Sequence, residues 1–100
     1  MLLHIMEVLD RRHNGFGRFK YRVEIGGLNQ VDRIQNFNEI REWCWTIWGR
    51  SCEQEYARDR YFKDLPQVIV WCWRKKTVEP HGYIYLKDDE QASFFKLKWM

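Results

Sequence analysis

The stretch Gln67 to Lys87, QVIVWCWRKKTVEPHGYIYLK, constrains the fold of this chain more than any other. Val68 to Arg74 reads as a strand whose run Val68 to Trp73 is apolar on both alternating faces, the pattern of a strand covered on two sides. Gly82 to Lys87 alternates Tyr83 and Tyr85 with Ile84 and Leu86, and the turn-forming run Lys75 to His81 lies between the two. The segment therefore reads as a hairpin.

Upstream, Leu2 to Leu9 reads as a first strand. The loop Asp10 to Gly17 carries Asn14-Gly15, which suits a turn needing positive φ. Phe19, Tyr21, Val23 and Ile25 then alternate with Lys20, Arg22 and Glu24, the period-2 pattern of a strand with one wet face. Gly26-Gly27 closes this basic-tipped hairpin, and a polar linker runs to Gln35. Asn36 to Gly49 predicts a helix, with Asn36 as cap, Glu39 at the capping-box position and Gly49 as the stop. Phe37, Ile40, Cys44, Ile47 and Trp48 fall on one stripe of it, Trp43 on the edge of that stripe and Trp45 outside it. Arg50 to Leu65 fits a helix by composition, or, by the alternation of Cys52, Gln54 and Tyr56, a short edge strand over Ser51 to Ala57 followed by a loop to Pro66, and the strand is the expectation taken. Asp88 predicts the cap of a last helix, with Gln91 at the capping-box position and Ala92, Phe95 and Trp99 on one side. The alternation of Phe95 to Trp99 also fits an extended tail.

This order of elements predicts a single α+β domain over residues 1–100, a mostly antiparallel sheet of four or five strands with two helices packed on one face. Seventeen aromatic residues, six of them Trp, help so short a chain build a core. A net charge of +3 from 17 basic and 14 acidic residues is too balanced for a protein dedicated to coating DNA. Three cysteines at these spacings match no disulfide framework, and the N-terminus is unlike a signal peptide, so the expectation is an intracellular protein with reduced thiols. No apolar run is long enough to cross a bilayer, and no membrane partner is expected. Cys44, Cys52, Cys72 and His81 lack the paired spacing that seeds a metal site. His13 and His81 are turn residues beside no Ser or Cys in a nucleophile motif, and no glycine-rich phosphate loop precedes a helix. Neither catalysis nor a cofactor is expected.

What remains is the sheet. If Val68, Val70 and Cys72 face the helices with Ile84 and Leu86, then Ile69, Trp71, Trp73, Tyr83 and Tyr85 line the other face as a large exposed aromatic area. Lys20, Arg22, Arg74 and Lys87 would lie at its margin. Trp71, Trp73, Tyr83, Tyr85, Lys20, Arg22, Arg74 and Trp45 are then the candidate partner-binding residues. The rings and cations suit a protein-binding hot spot, or single-stranded nucleic acid with bases stacked on the rings. The opposite assignment, with the indoles beneath the helices, makes the same rings core. Asn14 to Tyr21 matches the RNA-recognition-motif octapeptide at Gly15, Phe16, Gly17 and Tyr21, but Asn14, Arg18 and Phe19 depart from it. No helix precedes this segment, so it reads as a hairpin turn.

The run from Tyr83 to Trp99, YIYLKDDEQASFFKLKW, together with the helical NEIREWCW, resembles the endings of small accessory proteins of tailed bacteriophages. The C-terminal run alone covers about a fifth of the chain, and the resemblance implies a viral accessory role in the cytoplasm of the infected host cell. The expected function is non-catalytic binding of a host or virion protein. The alternatives are a single-stranded nucleic-acid-binding domain and a virion structural subunit.

Overall fold

A computed structural model describes residues 4–13, 16–51, 69–75 and 81–100. Within them the chain forms β1 (Ile5–Val8), β2 (Tyr21–Glu24), α1 (Gln30–Trp48), β3 (Trp71–Lys75), β4 (Gly82–Leu86) and α2 (Asp89–Trp99). The strands make one antiparallel sheet in the order β1-β2-β4-β3. Each half of the chain supplies a hairpin and then a helix, and the hairpins meet through β2 and β4. The fold is α+β, with four strands in the described residues. The expected fifth strand, Ser51 to Ala57, lies outside the described residues apart from Ser51, which is buried and not in a strand. The Asn14-Gly15 turn also falls outside them.

Cross-strand register decides which side chains share a face. Trp71 pairs with Leu86 and Trp73 with Ile84. Val23 pairs with Ile84 in turn, so Trp71, Trp73, Ile84, Leu86 and Val23 all point the same way. On that face they meet Phe37, Ile40 and Cys44 of α1 and Ala92 and Phe95 of α2 in one buried cluster. Both helices therefore cover one side of the sheet, with Ile84 and Leu86 toward them and Tyr83 and Tyr85 turned away, as expected, but the side chains of β3 are exchanged. Cys72 and Tyr85, not Trp71 and Trp73, point away from the helices. The alternation within each strand is right, and the pairing of Cys72 with Ile84 and Leu86 is the error: it sits one residue out of register, which turns every side chain of β3 over. Two indoles beneath the helices also remove far more apolar area from water than Val70 and Cys72 would.

The second face is not bare. Leu9, Phe19, Cys72 and Tyr85 form a smaller buried cluster with Tyr83 against it, and the Phe19 and Tyr85 rings lie 5.8 Å apart. Arg18 reaches across from the β1–β2 loop and donates to the Ile69 carbonyl at 3.0 Å. The expectation that the WCW strand is covered on two sides holds, since Trp71, Cys72 and Trp73 are all buried. Cys72 is disulfide-bonded, which corrects the expectation that every thiol is reduced. Sequence spacing carries no information on which distant cysteines approach one another. Cys44 is free and buried, and burial pushes its thiol pKa up, so it acts as a small packing group.

Helix α1 starts seven residues earlier than expected, since its cap is Asn29 and not Asn36. The Asn29 side chain accepts from the Asp32 N–H at 2.9 Å, and the Asp32 carboxylate accepts from the Leu28 N–H at 2.8 Å, a reciprocal cap. The apolar stripe misplaces the start because the first two turns are solvent-facing, with Val31 exposed and the first buried residue at Phe37. Asn36 instead donates its amide to the Gly26 carbonyl at 2.9 Å, tying the helix to the end of β2. Gly27 admits the close approach there: a Cβ on it would meet the Arg33 backbone nitrogen at 2.8 Å. Gly49 ends α1 as expected, at φ 80°, donating to the Trp45 carbonyl. Helix α2 begins as expected. The Asp88 side chain accepts from the Gln91 N–H at 3.0 Å, and Gln91 in turn accepts from the Lys87 N–H. The tail is helical to Trp99.

His4 is buried at the start of β1, and its Nδ1 accepts from the Gly26 N–H at 3.1 Å. Burial lowers its pKa below the ordinary 6.5, with the Asp32 charge acting weakly the other way. Below pH 6.5 the unfolded chain takes up a proton that the folded chain resists, so His4 supports the fold fully above that pH and less as the pH falls. The melting temperature is expected to drop between pH 7.5 and pH 5. His4→Asn, which keeps an acceptor for Gly26, should make that drop smaller in a pH series of thermal melts.

Candidate interaction surface

The eight expected binding residues do not share one surface. Trp71 is 1% exposed and its Nε1 donates to the Gly49 carbonyl at 2.7 Å, so the indole helps hold the end of α1. Trp73 is buried against Phe37, edge-on at 6.2 Å between ring centroids. Tyr85 is fully buried on the opposite face, and Tyr83 is half-buried there under the Arg22 guanidinium, 4.4 Å from the ring centroid. Arg74 pairs in register with Tyr83 and shares its face. The proposed sheet-face platform of Trp71, Trp73, Tyr83 and Tyr85 is thus split between two cores.

The cations are occupied as well. Arg22 holds the Glu7 carboxylate at 2.7 Å, and Lys20 holds Asp89 at 2.8 Å at the start of α2. Tyr21 donates to the same Asp89 oxygen, and both contacts pull the Asp89 pKa down. These groups latch β1 to β2 and β2 to α2.

What the structure does bring together is Trp45 with the buried indoles from their helix side. Asn38, Arg41, Glu42, Trp45 and Thr46 lie at positions i, i+3, i+4, i+7 and i+8 of α1 and form one stripe beside β3. With Trp71 and Trp73 they line a groove of about 620 Å³. Trp45 is 48% exposed on its wall. The Arg41 guanidinium carbon stands 4.4 Å from the Trp73 ring centroid and 5.0 Å from that of Phe37, and Arg41 donates to the Asn38 amide oxygen at 2.9 Å. The Thr46 hydroxyl is turned back onto the Glu42 carbonyl at 3.0 Å. The groove therefore offers a half-exposed indole, a stacked guanidinium, a carboxylate and an amide among the described residues. An apolar wall with a few convergent polar groups is the ordinary make-up of a binding pocket.

Trp45 lies off the buried stripe, as its helical offset predicts, and of the two fates that offset allows, packing against a loop or exposure, it is half-exposed. The groove itself is not legible in the sequence, because Asn38, Arg41, Glu42 and Thr46 have the pattern of a solvated helix face until β3 lies next to them. Among the described residues no helix is long and apolar enough to cross a membrane. Comparison with models of protein families, with curated proteins and with solved structures finds no match to this chain.

Proposed function

We propose that this chain is a non-catalytic accessory protein of a tailed phage that binds a host or virion protein through the groove beside α1. The observation that carries the binding reading is the half-exposed Trp45 standing over a groove whose other wall is rigid core. A tryptophan held on a helix and backed by packed rings is the kind of anchor that dominates protein interfaces, because little conformational freedom is lost when it is covered. The resemblance of the last two elements to phage accessory proteins supports the viral setting. A protein partner is favoured over single-stranded nucleic acid because Lys20 and Arg22 already hold carboxylates.

Trp45→Ala tests the reading. It removes a half-exposed side chain, so the melting temperature should stay within a few degrees of the parent. Retention of a protein partner from nuclease-treated host extract or from dissociated particles should fall about tenfold or more. Equal retention by the variant would remove the groove from the account. Quenching of tryptophan fluorescence by oligonucleotide, with affinity that collapses as salt rises, would replace the protein partner with nucleic acid.

A further inference from the structure

Outside the groove, both helices carry exposed apolar residues. Leu97 is 88% exposed, Phe94 50% and Ile47 44%. Their arrangement follows from helix geometry and topology. β2 and β4 are antiparallel and end at opposite ends of the sheet, so α1 and α2 cross its face in opposite directions. On α2 the buried side is Gln91, Ala92 and Phe95. At about 100° per residue, Glu90, Phe94, Leu97 and Lys98 therefore lie together on the outward flank nearest α1. Phe94 stacks on Trp43 of α1, centroids 6.0 Å apart, which fixes the ring on a rigid support. Trp43 is itself wedged by Trp48, Phe95 and Trp99 at 5.2 to 6.2 Å.

We infer that this flank of α2 is the contact surface between two copies of the chain, packed antiparallel about a two-fold axis passing near Phe94. The charge pattern selects this occupant. Glu90 and Lys98 are exposed and stand two turns apart, one four residues before Phe94 and the other four after it. Neither is in an ion pair among the described residues. When a second α2 is laid antiparallel with Phe94 against Phe94, Glu90 of each copy meets Lys98 of the other, twice. Leu97 then enters the gap between Glu90 and Phe94 of the partner. A parallel arrangement would instead place like charges together, at a cost. The contact is isologous, so it closes at two copies and does not propagate.

The exposed parts of Phe94, Leu97 and Ile47 fall well short of the about 800 Å² per partner of a standard interface, so the dimer is weak. This contact uses none of the groove residues and stands whether or not the groove binds a protein.

Sedimentation velocity on the full chain from micromolar to millimolar concentration tests it. The expected result is a reversible monomer–dimer equilibrium. Leu97→Glu, at a site that is almost fully exposed, should leave the melting temperature unchanged and raise the dissociation constant about tenfold or more. Glu90→Lys alone should weaken association, and Glu90→Lys combined with Lys98→Glu should restore it, because each swapped copy again meets its complement. A chain that is monomeric at millimolar concentration overturns the proposal. So does a dimer indifferent to Leu97→Glu, or one in which the double swap fails to restore what the single swap lost. If Leu97→Glu instead abolishes capture of a different protein while the chain alone stays monomeric, the surface belongs to that protein and not to a second copy.

Discussion

Trp71→Ala is expected to lower the melting temperature by at least about 12 °C, or to leave the chain unfolded at room temperature. The indole is 1% exposed and sits in the cluster shared by the sheet and both helices. Truncating a buried Trp to Ala typically costs about 3–5 kcal/mol, through lost transfer energy and the cavity left behind. Here a further contribution arises because the Gly49 carbonyl loses its donor at the end of α1. Against a total stability of about 5–15 kcal/mol this is a large fraction, and in a chain of this length each kcal/mol moves the midpoint by about 4–8 °C. Trp73→Ala should behave alike, since it removes the surface on which both Phe37 and Arg41 lie. Circular dichroism melts of the two variants check this. Were both to melt like the parent, the two indoles would not be core.

Phe95→Ala is the second large effect, and it should be uneven across the molecule. Helix α2 has 11 residues, and its buried side is Gln91, Ala92 and Phe95, of which Phe95 is fully buried. A helix that short is marginal in isolation, so its persistence depends on the face it buries. Losing the Phe95 ring should again cost about 3–5 kcal/mol. The amide protons of α2 should then exchange faster than those of β2 and β4, because the central strands keep both of their neighbours. Native-state hydrogen exchange on the variant checks this. Uniform acceleration over the whole molecule would show that α2 does not open on its own.

Much of the fold was legible because the alternation and capping signals are strong. β4, the stop at Gly49 and the cap of α2 at Asp88 are each written in a few residues whose local chemistry has one good outcome. The start of α1 was harder. Asn29 and Asp32 form an equally good cap, but the apolar stripe that draws the eye begins two turns later at Phe37. The face of β3 was harder still. Val68 to Trp73 is apolar at every position, so periodicity within the strand cannot say which parity is inward, and only the partner strand decides. The register Trp71 with Leu86 and Trp73 with Ile84 settles it, and that is a long-range fact no window of the sequence contains. The candidate site moved for the same reason. Trp45 was identifiable as the ring off the buried stripe, while the groove it borders exists only once β3 lies beside α1. That Arg22 and Lys20 hold carboxylates is equally hidden, because their partners, Glu7 and Asp89, come from 15 and 69 residues away in sequence.

The claim on which the rest turns is that α1 seals the indoles of β3 and leaves Trp45 outside. Hydrogen exchange of the indole N–H groups reads this directly in nitrogen-15 spectra of the folded chain, with Trp45→Phe and Trp71→Phe assigning the two signals. The Trp71 indole proton, bonded to the Gly49 carbonyl and shielded from solvent, should persist for hours in deuterated water, while that of Trp45 should be gone in the first spectrum. Loss of both at the same fast rate would contradict the account.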